Sequence, residues 1–237
     1  MRHQDYLDVG AASDKVTFER RLLHFAQAMD FGIVSAALAV DQPGEKPLFV
    51  MVGNTPNGFA EASRNVDSMR RDPVLRRLKS SSTPFVYDQS LYVEEDAADL
   101  WEEQAPFGYR TGISMALHMP AGRHFLLGVD RDTPLPTEDM ALTRLLADLQ
   151  LLAVYAQETA VRVLLPEARP LSPIPHLTNR EREVLQWTRE GKSAWAVGQI
   201  LSMSEHTVNY HLRNAMRKLE VSSKHVAIMK AVSFGLI

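Results

Sequence analysis

The chain has 237 residues, of which 45% are hydrophobic and 23% charged, values that allow a substantial core in one large or two modest domains and set disorder aside. It contains no cysteine, which excludes disulfides, thiolate nucleophiles and Cys-based zinc sites. The net charge of −3 is unevenly divided: from His176 onward 9 Lys and Arg meet 5 Asp and Glu, giving +4, while the remaining 17 and 24 leave −7 on residues 1–175. Such asymmetry suits an acidic body joined to a basic reader of a polyanion.

Taken in order, residues 14–29 place Val16, Phe18, Leu22, Leu23, Phe25, Ala26 and Met29 at helical spacing, with Ser13 as the expected N-cap. Residues 33–40 and 47–52 read as strands separated by turn material at 41–44. A helix is expected over 57–70, carrying Phe59, Ala62, Val66 and Met69, then a basic helix around Leu75 and Leu78 and a short strand at 85–87. Residues 94–104, containing Trp101, read as another helix. A strand pair follows at 113–119 and 124–130, turning at 120–122. Residues 138–164, with Thr137 as cap, form a long helix whose apolar side chains spread over more than one face. A helix apolar on so broad an arc needs two burial partners, its own sheet and something else. A second copy of the chain is the economical candidate, and the central helix of a single domain is the alternative. Helices interleaved with about five strands imply an α/β fold, an α/β/α sandwich around an antiparallel sheet.

Residues 165–175 hold four prolines and predict a semi-rigid linker, because each proline removes an N–H and holds its predecessor extended. Domain limits of 1–164 and 176–237 follow. Beyond the linker, Thr178 and Glu181 have the spacing of a capping box. Val184, Leu185 and Thr188 continue the helix, and Gly191 supplies its left-handed terminator. A short helix over 194–201, a turn at 202–204 and Ser204 as N-cap introduce a third helix, on which Val208, Leu212, Ala215 and Leu219 form the buried stripe. His206, Thr207, Asn209, Tyr210, Arg213 and Arg217 lie largely outside it. Asn can read adenine and Arg guanine through paired hydrogen bonds, while Lys192, Arg217 and Lys218 add charge for phosphates. A solvated amphipathic helix is the plain alternative; the complete order of cap, helix, Gly, short helix, turn and basic helix favours a DNA-binding helix-turn-helix.

On Glu181, Leu185, Gly191, the run from Thr207 to His211, the Lys218-Leu219 pair and the closing Gly235-Leu-Ile, residues 177–237 resemble the output domain of the LuxR family of quorum-sensing transcription regulators. The resemblance implies an all-α domain of four helices, the third in the major groove and the fourth, near 224–234, available for dimer contacts. Where the family usually shows Glu-Ile-Ala, this chain has Ala196-Val197-Gly198, and a glycine there is expected to weaken the helix by about 0.5–1 kcal/mol relative to alanine. The sandwich similarly resembles the family's ligand-binding domain. Asp72-Pro73-Val74 matches a motif whose Asp accepts the amide N–H of an acyl-homoserine lactone; capping of the helix that Pro73 begins is the competing role for Asp72. Thirteen residues earlier the family's donor Trp is Phe59, nine earlier its Tyr is Ser63, and fifteen later its Trp is Tyr87. A strand position that often carries Ser or Thr is Gly128. Trp101, Tyr109, Met115 and His118 are further candidates to line a cavity, against ordinary core packing for each.

No phosphoacceptor arrangement supports a response regulator, and no Gly-x-Ser-x-Gly, His-Glu-x-x-His or phosphate loop supports an enzyme. The expected function is a homodimeric regulator binding a palindromic double-stranded DNA site, with RNA polymerase or a regulatory protein as further partners. Its small molecule is an acyl-homoserine lactone or an unlike apolar compound, and no other cofactor or metal is expected. The alternative is a ligand-independent regulator whose N-terminal domain serves dimerisation or protein docking. With no apolar run near ~20 residues and no apolar h-region at the start, the expected place of action is the cytoplasm, without membrane contact.

Overall fold

The computed structural model describes residues 1–41, 47–56, 66–165 and 175–237. These divide into two compact units, one built on a sheet and one of C-terminal helices. The sheet has five antiparallel strands in the order β2-β1-β5-β4-β3: β1 Ile33–Val40, β2 Leu48–Gly53, β3 Phe85–Asp88, β4 Thr111–Met119 and β5 Arg123–Arg131. Helices α1 (His3–Gly10), α2 (Lys15–Gln27) and α7 (Asp139–Leu164) cover one face. The other face carries α3 (Val66–Arg71), α4 (Pro73–Ser80), α5 (Gln89–Glu94) and α6 (Ala98–Gln104). This is the expected α/β/α sandwich.

The period of two along each strand sorts large from small side chains. Val34, Ala36 and Leu38 of β1, Ile113 and Met115 of β4, and Phe125, Leu127 and Val129 of β5 all enter the core beneath α2 and α7. Their neighbours in sequence point the other way and are mostly small: Ser35, Ala37, Gly112, Ser114, Ala116 and Gly128. A sheet floored with such residues leaves room above its centre. Helix α1 is held to α7 by Tyr6 Oη donating to Asp148 at 2.7 Å and by Thr159 Oγ1 and Arg162 donating to the Gly10 carbonyl at 2.8 and 2.7 Å.

Several boundaries differ from expectation. The cap of α2 is Asp14, which accepts from Thr17 N at 2.8 Å, while Ser13 donates its hydroxyl to Asp14. The helix expected over 94–104 is α6, which begins only at Ala98; an unexpected helix, α5, ends at Glu94, and Asp96 at φ 55° separates the two. Helix α7 takes Glu138 as its N-cap residue, with no side-chain capping bond. Of the helix expected over 57–70 only α3 falls within the described residues.

In the C-terminal unit, α8 (Asn179–Arg189), α9 (Ala194–Leu201), α10 (Glu205–Lys218) and α11 (Lys224–Ser233) close on Leu177, Leu185, Ala215, Leu219, Ala227 and Ala231, with Val184, Val197 and Val208 forming a second cluster. The capping box is present: Glu181 N donates to Thr178 Oγ1 at 3.3 Å and Thr178 N to Glu181 Oε2 at 2.7 Å. Ser193 caps α9 and Ser204 caps α10. Gly198 corrects the expectation attached to it. A Cβ there would lie 2.6 Å from the Met203 carbonyl oxygen, so glycine is what lets α9 and the following turn approach.

Candidate ligand pocket and nucleic-acid interface

Asp72 stands at the N-terminus of α4 because Pro73 has no N–H to leave unpaired there. Its Oδ1 accepts from Leu75 N at 2.9 Å, and among the described residues its Oδ2 receives a long contact, 3.4 Å, from the Tyr92 hydroxyl. Burial raises the Asp72 carboxyl above the usual range, opposed by the backbone bonds from Leu75 and Val74. Tyr92 is 1% exposed, its ring centre 5.2 Å from that of Trp101. Tyr87, Tyr92, Trp101, Val74 and Leu78 form one cluster with Ala116 of the sheet. Asp72, Tyr87, Trp101 and Gly128 therefore share the side of the sheet that small residues floor.

Met115 does not join them. It is fully buried on the opposite face, in the core under α7, because residue 115 has the parity of Ile113 rather than of Ser114. His118 is exposed at the far end of β4, its Nδ1 2.7 Å from that of His124, and is no part of the pocket. Phe59 and Ser63 lie outside the described residues.

Further polar groups converge on this face: the expected candidate Tyr109, and Ser35, Thr55, Ser114 and Asp130, which the sequence pattern alone did not single out. Ser35 Oγ lies 2.9 Å from Thr55 Oγ1 and 3.5 Å from the hydroxyl of Tyr109, a residue 4% exposed. Ser35, Gly128 and Ser114 form one transverse row of the sheet, and a Cβ at Gly128 would meet Ser114 Oγ at 3.2 Å. Ser35 and Ser114 thus stand on either side of Gly128, each carrying a hydroxyl. Asp130 is 1% exposed and accepts from the Tyr87 hydroxyl; burial pushes its carboxyl up to about 7 against that bond. Burial also raises the phenols of Tyr87, Tyr92 and Tyr109, so all three stay neutral donors. The signal for Asp130 was available: it is an isolated acid in a strand of alternating apolar residues.

On α10, Tyr210 is 54% exposed and His206, Arg213 and Arg217 are exposed, whereas Thr207 and Asn209 are half-buried. The Thr207 hydroxyl is engaged with Ser204 Oγ at 2.8 Å. Lys192 is exposed just after the left-handed Gly191. Lys218 is turned inward, its ammonium 2.7 Å from Glu181 Oε2. That carboxylate is 4% exposed, and the Lys218 and Thr178 bonds hold its pKa below the usual range against burial. The free basic face of the helix consists of Arg213 and Arg217, flanked by Tyr210.

A family model described as the autoinducer binding domain matches residues 15–160, and one described as bacterial regulatory proteins of the luxR family matches residues 175–231. The chain is 33% identical over 226 residues to the transcriptional activator protein SolR of Ralstonia nicotianae, covering 95% of this chain and 94% of that one. It is 27% identical over 216 residues to the regulatory protein SdiA of Escherichia coli, covering 90% and 86%. The crystal structure of E. coli SdiA superposes with a TM-score of 0.73 at 24% identity over 98% of this chain and 95% of the other. SdiA in complex with octanoyl-rac-glycerol superposes equally, at 0.73 and 24%, over 98% and 93%. At that identity the structures speak for the fold. The two family matches and the SolR identity assign the chain to the LuxR family, as a transcription regulator rather than an enzyme, with an autoinducer-binding domain ahead of a luxR-type DNA-binding domain.

Proposed function

We propose that the chain acts as a homodimer on a palindromic double-stranded DNA site and that its N-terminal domain, residues 1–164, holds a small molecule between the sheet and α3–α6. The Pro-rich segment 165–175 joins this domain to the reader, residues 176–237. The observation that carries the ligand reading is the polar array on a floor of small residues, with Tyr92, Ser114, Tyr87 and Asp130 buried and Asp72 and Ser35 half-buried. A core meant only for packing does not concentrate carboxyls and phenols on one face. Asp72 serves two roles through two oxygens: Oδ1 caps α4, and Oδ2 accepts a ligand N–H.

Altered ligand preference follows from Phe59, which offers no donor where the family places one, and from Gly128. Octanoyl-rac-glycerol, with which SdiA forms a complex, is a molecule without a lactone ring. Base reading falls to Asn209 and Arg213, and phosphate contact to Lys192, Arg217 and Tyr210; Thr207 supports the start of α10, and Lys218 serves mainly to anchor it to Glu181. Dimerisation draws on Met140, Ala147, Leu151 and Val154, which leave an exposed apolar strip along α7, and on exposed Val226, Met229 and Val232 of α11. Among the described residues no helix is long and apolar enough to cross a membrane, and a reader of DNA works in the cytoplasm.

Mass spectrometry of the protein purified from its native host, under native and denaturing conditions, tests the reading. A dimer carrying a small molecule released on denaturation is the expected result. A monomer without any bound compound, unresponsive to a ligand panel, would overturn it.

A further inference from the structure

Tyr87 of β3, Gly112 of β4 and Asp130 of β5 form one transverse row, each paired in register with the next. A Cβ on Gly112 would collide with both the Tyr87 ring and the Asp130 carboxyl. Its absence lets Tyr87 reach across β4 and donate to Asp130 Oδ1. That bond occupies one oxygen of the two. Asp130 Oδ2 is buried with no hydrogen-bond partner among the described residues, and so is Gln104 Nε2 of α6. An unpaired carboxylate oxygen removed from water is costly, and an apolar side chain at this strand position would avoid the cost. The Asp130 charge acts on Tyr92 and Tyr109 as well as Tyr87, so the carboxyl sits among the phenols of the pocket. It also borders an open depression of about 710 Å³ at the ends of β1 and β5, where polar residues such as Gln27, Asp30, Asp132 and Thr133 join Phe31 and Ile33 in the lining.

We propose that Asp130 Oδ2 accepts a hydrogen bond from a hydroxyl on the ligand's polar head, so that the pocket selects a hydroxyl-bearing acyl compound over an acyl-homoserine lactone. This rests on the reading that residues 1–164 hold a small molecule. With Asp130 ionised, a homoserine lactone leaves its Oδ2 unmet, because the one N–H of the lactone goes to Asp72 and the ring oxygens only accept. An acyl glycerol supplies hydroxyl donors and satisfies it. The Tyr87 hydroxyl, already committed to Oδ1, fixes the carboxyl's orientation.

Calorimetry on the full chain at pH 8, where Asp130 is ionised, with 1-octanoylglycerol, propyl octanoate and N-octanoyl homoserine lactone tests this, because propyl octanoate keeps the ester and chain but has no hydroxyl. The wild type should bind the glyceride at least tenfold more tightly than either other probe. Asp130→Asn and Asp130→Ser, checked for folding by circular dichroism, should lose that preference, the ratio of glyceride to propyl octanoate affinity falling towards one. Equal affinity for the two esters, a lactone bound as tightly as the glyceride, or a preference unchanged in both variants would overturn the inference while leaving a ligand-holding domain intact. Binding of none of the three probes by the wild type would overturn the inference and the reading beneath it together.

Discussion

Replacing Gly198 by alanine is the substitution for which helix propensity and tertiary packing give opposite answers. Propensity favours the alanine by up to about 1 kcal/mol in the middle of α9. Against it, the new Cβ would sit 2.6 Å from the Met203 carbonyl oxygen, where ordinary contact starts at 3.4 Å, so the turn must retreat by about 0.8 Å. The obstacle is backbone, which cannot swing aside like a flexible side chain. Overpacking of this kind costs about 1–3 kcal/mol. The Met203 N to Gly198 O bond, 2.9 Å long, closes the same turn, and its loss adds about 1 kcal/mol. The net effect is a destabilisation of about 1–3 kcal/mol. Scanning calorimetry of the full chain should show the transition of the C-terminal unit lowered by roughly 4–8 °C per kcal/mol, with the sheet unit unchanged. A Gly198→Ala variant equal to or more stable than the wild type would refute the close approach of α9 to its turn.

Stability should fall as pH rises from about 4 towards 8, because Asp130, ordinarily near 3.8, is pushed up to about 7 and the folded state keeps a proton that the unfolded state releases. The component is on the order of 4 kcal/mol at about 1.4 kcal/mol per unit. Asp72 contributes with the same sign, and Glu181, whose pKa is lowered, with the opposite sign at acid pH. Urea denaturation of wild type and Asp130→Asn across this range should show the variant's slope flattened; identical slopes would contradict the assigned burial. A panel of acyl-homoserine lactones should bind weakly or not at all, by thermal shift and calorimetry, and Phe59→Trp/Ser63→Tyr should gain affinity; tight binding by the wild type would refute the missing-donor argument. Leu151→Glu/Val154→Glu on α7 should shift the protein from dimer to monomer in sedimentation at micromolar concentration with the sheet unit still folded. A double variant that remains dimeric would remove α7 from the interface.

The helical reader was legible because its signals are local: Thr178 with Glu181, Gly191 and Ser204 each act within four residues of themselves. The cap of α2 was missed by one residue, Ser13 for Asp14, since adjacent residues can both cap and only the bond to Thr17 N decides. The sheet's existence and its strands were legible from alternation. Alternation gives which residues share a face, but not which helices cover it, so Met115 of β4 is expected with Tyr87 of β3 although the two lie on opposite faces of the sheet. The break at Asp96 has only a weak local signature, because Asp enters the left-handed region more readily than most residues but does not require it. Gly198 was misjudged for a related reason: a propensity scale contains no information about the carbonyl of Met203 packed against it. The row of Tyr87, Gly112 and Asp130 joins three strands and exists only once their register is set.

The central claim, a dimeric reader that discriminates bases through α10, is tested most directly by the Arg213→Ala variant. A palindromic site selected from a random DNA pool with the wild-type protein, and a scrambled duplex of the same length, would be titrated by fluorescence anisotropy at one fixed salt concentration. Exposed on the free face of α10, Arg213 is expected to contribute about 1–3 kcal/mol on the selected site and much less on the scrambled one, with two protomers bound per palindrome. Equal losses on both duplexes would make Arg213 a phosphate contact only, and a single protomer bound per palindrome would contradict the dimeric account.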